Sequence, residues 1–292
     1  MAVVDSLEQA KQLSLTIDSR RRGNMQDNPS DPVESLSSGD PDRQVAALIE
    51  LIKENDRSKI DQVLRLFGSP DIAVRSEAVR AAGFLGGASV DNVGPLLVGM
   101  LEDPDELVRT EAAEALTMIQ FAPAVGPLTS HLRSDDSWIV RASAAEALGR
   151  YPGSSTAALF TCANDDDELD EVRRYAIHSL GQTPINDPDN DMEALVNRLE
   201  NDPDLGLQVR LAAYRTGDRS QIDAVKNAAA TMSEFDASLV LNDIDAFLDH
   251  PRPPTLEADI LTIENIIDII ALRWPFERPH AAKVRDRLPD VE

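Results

Sequence analysis

A Val-Arg pair stands at the same place in five copies of one pattern, as Val74-Arg75, Val108-Arg109, Val140-Arg141, Val172-Arg173 and Val209-Arg210. The arginines are spaced 34, 32, 32 and 37 residues apart. Each pair sits in a longer shared pattern. Ser69-Pro-Asp-Ile-Ala-Val-Arg-Ser-Glu-Ala-Val-Arg-Ala-Ala-Gly83 matches Asp103-Pro-Asp-Glu-Leu-Val-Arg-Thr-Glu-Ala-Ala-Glu-Ala-Leu116. Copies follow at Asp136 to Gly149, Glu168 to Gly181 and, more weakly, Asp202 to Tyr214, and a degenerate one opens at Asp40. Self-similarity at such a period marks a repeat architecture. One such unit is too small to bury its own apolar stripe, so neighbouring units must stack.

Each copy reads as two helices. Asp40-Pro41, Ser69-Pro70, Asp103-Pro104 and Asp202-Pro203 have the form of an N-cap followed by proline at the first helical position. Apolar residues then fall at three- and four-residue spacing, as at Val74, Ala78, Ala81, Ala82 and Leu85, or Val108, Ala112, Ala115, Leu116 and Ile119. Gly83, Gly149 and Gly181 suit left-handed turns that end these helices. A second helix is expected over 91–101, 124–133, 155–163 and 191–200 in successive copies. Asp-rich turns separate the copies.

Composition narrows the class further. Asp and Glu number 52 against 28 Lys and Arg, a formal net charge of −24. Such a chain repels nucleic-acid phosphates and anionic lipid. Neither a nucleic acid nor a membrane is an expected partner, and no apolar stretch is long enough to span a bilayer. A cytoplasmic protein is the resulting expectation. One cysteine, Cys162, excludes an internal disulfide framework. Aromatic residues are only 4%, which favours an aliphatic, Ala-rich core of closely approaching helices. The acids include 33 Asp and 19 Glu, while the bases are 23 Arg and 5 Lys. This balance resembles proteins of halophilic archaea, whose salt-filled cytoplasm screens self-repulsion; at 1 M salt the Debye length is about 3 Å.

The Asp-Pro-Asp, Val-Arg and Ala-Ala-Glu-Ala-Leu-Gly elements, clearest at Val140 to Gly149, resemble the short HEAT-like repeat first described in phycobilisome lyase subunits. The resemblance covers about residues 40–230. It implies an all-α fold: a right-handed α-solenoid of about six HEAT-like helix pairs with a helical C-terminal cap. Scaffolds, regulators and lyase subunits share this repeat, so the fold does not fix the function. For a lyase, the resemblance implies a bilin and a phycobiliprotein helix as ligands, but no electropositive setting surrounds Cys162.

Three regions are expected. Residues 1–38 hold a short helix over 1–17 and a flexible tether containing Arg20-Arg21-Arg22. Residues 39–232 form the solenoid. Residues 233–292 supply capping helices over 235–248 and 256–273, joined through His250 to Pro254, and a short helix near 279–288.

Catalytic, metal and cofactor sites are not encoded in any familiar spacing, and none is expected. His131, His178, His250 and His280 include no i, i+3 or i+4 pair. Asp165-Asp166-Asp167 lacks the glycine of a calcium loop and reads as a turn. Arg75, Arg109, Arg141, Arg173 and Arg210 are expected to bind carboxylates or carbonyls of their own and adjacent repeats, with Asp71, Asp105 and Asp136 as partners; the alternative is an anion-binding row. The expected function is a non-enzymatic scaffold that holds a protein partner on the concave face of the second helices. Candidate contacts are Asn92, Thr129, His131, Arg133, Asn197 and Arg198. The alternatives are an archaeal taxis signalling adaptor and a bilin lyase-like or isomerase-like subunit.

Overall fold

A computed structural model describes residues 32–151, 153–182, 191–248 and 256–288. The expected helix over 1–17, the Arg20–Arg22 cluster and the His250–Pro254 joint lie outside the described residues. Within them every regular element is helical and no strand occurs. The chain divides into two compact units, Met1–Ala124 and Val125–Glu292.

The first unit contains α1 (Pro32–Leu36), α2 (Pro41–Glu54), α3 (Ile60–Arg65), α4 (Ile72–Leu85), α5 (Val90–Met100) and α6 (Glu106–Ile119). The first helices of successive copies, α2, α4 and α6, stack side by side, while α3 and α5 pack as their second helices. Val74, Ala78, Ala81, Ala82, Val108, Ala112 and Leu116 of the expected stripe are all fully buried, and Val79 joins them. Their burial is the main driving force for stacking, because each isolated helix would leave this face in water.

The second unit contains α7 (Val125–Ser134), α8 (Trp138–Leu148), α9 (Thr156–Ala163), α10 (Asp170–Leu180), α11 (Met192–Leu199), α12 (Gly206–Arg215), α13 (Gln221–Ala229), α14 (Glu234–Leu248), α15 (Leu256–Arg273) and α16 (Arg278–Arg285). Here α8, α10 and α12 stack as first helices. From α12 onward one continuous apolar cluster runs through Leu211, Tyr214, Val225, Val240, Ile244, Ile266, Ile270 and Val284. The helices after the last Val-Arg copy therefore share a core with it.

Two local expectations change. The helix start lies at the second acid of the Asp-Pro-Asp element. Asp71 caps α4 by accepting from the Val74 amide at 3.0 Å, and Asp105 caps α6 through the Leu107 amide at 3.0 Å. The first residue folds the preceding turn instead: the Asp103 carboxylate accepts from the Asp105 amide at 2.9 Å. At Asp202 the same turn forms, with no side-chain cap on α12. Only Asp40-Pro41 keeps the simple arrangement.

The glycines also act differently. Gly149 and Gly181 have ordinary right-handed helical conformations, with φ of −59° and −66°, and Gly83 lies inside α4. A Cβ at Gly83 would stand 2.8 Å from the Ala115 Cα, one at Gly149 2.8 Å from the Ser179 Cβ, and one at Gly181 2.9 Å from the Ala212 Cα. They are small so that one first helix can approach the next. Their role is close packing rather than a left-handed turn.

Candidate functional site

The repeat arginines lie at the turns between copies. Arg75 forks onto Asp103, with Nε to Oδ2 at 2.9 Å and Nη2 to Oδ1 at 3.0 Å. Its Nη1 donates to the Ser69 carbonyl at 2.8 Å. Arg141 repeats the geometry on Glu168, with both fork bonds at 2.8 Å and Nη1 on the Asp135 carbonyl at 2.8 Å. Arg109 keeps the carbonyl contact, donating to Asp103 O at 2.9 Å. In each case the guanidinium closes its own turn six residues upstream. Arg75 and Arg141 also grip the acid that opens the next copy. A planar five-donor group suits both tasks at once.

The last two arginines depart from this pattern. Arg173 bonds the Ala163 carbonyl, Asp170 and Asp166, and Arg210 bonds Gln221 and Glu200. Asp71 and Asp105 are helix caps rather than direct ligands of these guanidiniums, because their carboxylates already face helix N-termini.

Electrostatics follow from these contacts. Burial pushes the Asp103 carboxyl up, but the Arg75 and Asp105 hydrogen bonds outweigh it and hold its pKa below the ordinary value. The Asp103 bond raises Arg75, and the Glu168 bond raises Arg141. Burial, aided by Glu168 and Asp165, pushes the Cys162 thiol up to about 12. Cys162 is therefore a protonated, packed side chain at neutral pH, unlike the electropositive setting that activates a cysteine.

The candidate contact residues separate into two groups. Asn92 on α5, Arg133 on α7 and Asn197 on α11 are exposed. Thr129 is half-buried. His131 is largely covered and pairs with Asp135, Nδ1 to Oδ2 at 2.9 Å. Arg198 is turned back onto its own fold: Nη1 bonds Asn164 O and Oδ1 at 2.8 Å, and Nη2 bonds Asp166 at 2.6 Å.

A polar cluster lies where no repeat signal points. Asp243 on α14 and Arg215 on α12 have side chains only 3% exposed and meet at 2.9 Å. His178 on α10 reaches the same Asp243 oxygen at 2.6 Å, and Gln208 on α12 donates to the other at 2.9 Å. Gln182 meets the second ring nitrogen of His178 at 2.7 Å. Burial raises Asp243, yet His178, Arg215 and Gln208 together hold it below the ordinary carboxylate value. Nearby, Arg219 forks onto Asp259 at 3.0 and 2.8 Å, and the Tyr214 hydroxyl donates to the same carboxylate at 3.3 Å. These residues are not among those the copies share, and the pairs that join different helices are 28 to 65 residues apart in sequence. Only the coincidence of polar residues on otherwise apolar helix faces hints at them.

Among the described residues no His, Cys, Asp and Glu grouping could hold a metal ion, and no helix is long and apolar enough to cross a membrane.

A solved engineered protein shares 23% identity, with a TM-score of 0.47, covering 65% of this chain and 96% of its own. The complex of CpcE and CpcF of phycocyanin lyase from Nostoc shares 18% identity, with a TM-score of 0.49, covering 92% of this chain and 97% of its own. No curated protein matches. The HEAT-repeat profile matches residues 31–117, 85–149 and 125–216, which together span well over half of the chain. With its stacked helix pairs and inter-repeat arginines, the chain belongs to the HEAT-repeat family.

Proposed function

We propose that the protein is a non-enzymatic scaffold that binds a protein partner on the outward faces of its second helices. The observation that carries this reading is the division of labour among polar residues. Arg75 and Arg141, with the acids they grip, are consumed in holding copies together. The exposed side chains of the second helices, Asn92, Arg133 and Asn197, have no such role. Stacked helical repeats present extended surfaces of this kind to helices and peptides. His131 and Arg198 are engaged with Asp135 and with Asn164 and Asp166, and so support the helices that carry the exposed residues. We read residues 39–232 as the repeat array and 233–292 as its cap.

The acidic composition supports a high-salt cytoplasm, as in a halophilic archaeon, where screening relieves the repulsion of a −24 surface. The test is affinity capture from the source cells at low and at multimolar KCl, with an Arg133→Glu/Asn197→Glu variant as the control. A partner enriched by the parent and lost from the variant supports the reading; equal recovery by both removes it. A captured response regulator would make the protein a taxis adaptor. A captured phycobiliprotein would make it a lyase-like subunit, although the packed thiol of Cys162 weighs against cysteine chemistry there.

A further inference from the structure

The corner between α15 and α16 carries a second, different surface. Leu272, in the last turn of α15, is 77% exposed, and Phe276, in the single 3-10 turn over Pro275–Glu277, is 87% exposed. They are the two most exposed large apolar side chains among the described residues. Two arginines flank them. Arg273 lies over the Trp274 ring, 5.2 Å from its centroid, and that ring packs on the apolar cluster of the last helices. Arg278 donates from Nε to the Ala271 carbonyl at 3.0 Å. Both arginines are therefore held at the corner, and both are exposed.

What covers this corner is argued from charge. The contacts of Arg273 and Arg278 are with a ring and a carbonyl, not with a carboxylate. The acids nearest along the chain are already engaged, Asp268 by Arg285 and Glu277 by the His280 ring at 3.3 Å. From Arg273 to Arg287 the chain holds five Lys or Arg against two acids, Glu277 and Asp286, although its net charge is −24. Uncommitted arginines beside bare apolar side chains have the composition of an interface rather than of a solvated surface. A second copy does not fit, because a symmetric contact at this corner would set the arginines of both copies against each other.

We propose that this corner docks an acidic amphipathic helix of another protein, its apolar stripe over Leu272 and Phe276 and its carboxylates on Arg273 and Arg278. A guanidinium offers a planar fork to a carboxylate, and one already held by a ring or a carbonyl loses little freedom on pairing. Apolar anchors in i, i+3 and i+4 register are how such helices are read, and the flanking charges supply orientation. The corner lies after the last Val-Arg copy, so it stands whether or not the second-helix face binds a partner.

The test uses the full chain and fluorescently labelled synthetic peptides: a Leu/Glu amphipathic helix, its Ser/Glu counterpart and its Leu/Lys counterpart. Binding is read by anisotropy at about 1 M KCl, where the diffuse field of a polyanion is screened. The Leu/Glu peptide should bind best, even though the −24 chain as a whole favours the Leu/Lys one. Leu272→Ser with Phe276→Ser should weaken it by about tenfold or more through lost apolar contact. Arg273→Gln with Arg278→Gln should weaken it about threefold, as for exposed charge pairs. Circular dichroism checks that the variants stay folded, and the peptide comparison on the unaltered protein is independent of them. No binding of the Leu/Glu peptide, binding of either counterpart as tight as its own, or unchanged affinity in either double variant would overturn the proposal.

Discussion

The turns between repeats and the buried cluster around Asp243 both rely on Arg–carboxylate pairs, but they use them differently. At the turns, Arg75–Asp103 and Arg141–Glu168 repeat one geometry at partly covered positions, 12%/6% and 16%/12% exposed. Each guanidinium also satisfies a turn carbonyl, so the pair is one part of a local device copied along the chain. Around Asp243 there is one carboxylate, buried on all sides, that gathers groups from α10, α12 and α14. Two Arg215 donors, Nε and Nη2, are buried there without a partner. The first arrangement secures neighbouring copies. The second joins the last copies to a helix that no longer follows the pattern. A pair that repeats is interchangeable with its equivalents, while a single deeply buried hub has no substitute.

That contrast can be broken experimentally. Asp243→Ala should have the largest effect, about 4 kcal/mol of unfolding free energy, because it leaves a guanidinium buried with no counter-ion. Denaturant unfolding at fixed salt measures it, and a loss below that of the turn variants would reverse the ranking. Arg75→Ala should cost less, about 2 kcal/mol, the value of hydrogen bonds to a charged partner at a partly covered site. Arg75→Lys keeps the charge but loses the fork, so it should recover only part of the loss; full recovery would mean that charge rather than planar geometry holds the turn.

A pH series distinguishes a hydrogen-bonded acid from one raised by burial within the same stack. Asp103 is held below its ordinary pKa, so its stabilisation is present above the unfolded-state value and is lost as pH falls through the folded one. Glu111 is the reverse. Burial, then Glu114, raise it from 4.5 to about 8, with a smaller opposing pull from Arg80. Between those values the folded state holds a proton that the unfolded state has released. Stability therefore falls as pH rises through that window, by about 1.4 kcal/mol per pH unit at most, and levels off above it. Glu111→Gln should flatten that slope. An unchanged slope would locate the pH dependence elsewhere.

Much of this was legible before any coordinates. The five Val-Arg pairs marked the copies, and the apolar spacing marked which faces are buried, because a helix must turn its stripe toward the next copy. The second helices expected over 91–101, 124–133, 155–163 and 191–200 appear as α5, α7, α9 and α11 within one or two residues at each end. The ionic role of the arginines was legible from their constancy, but their partners were not. Asp71 and Asp105 are adjacent in sequence, yet a carboxylate at a helix N-terminus is already satisfied by amides, and Asp103 and Glu168 stand where the fork can reach. The contact candidates were less secure for a similar reason. His131 and Arg198 look free on a helical wheel, but their long or ring-bearing side chains fold back onto acids of the adjoining turns.

The sequence alone determined the period, the all-helical class and the charge of the surface, since these rest on local spacing and composition. Tertiary structure alone decided which glycines mark close contacts, which acid meets each arginine, and that His178, Arg215 and Asp243 converge. Those facts depend on distances between residues far apart in the chain. A polar side chain on a helix carries no record of what the next helix will place against it.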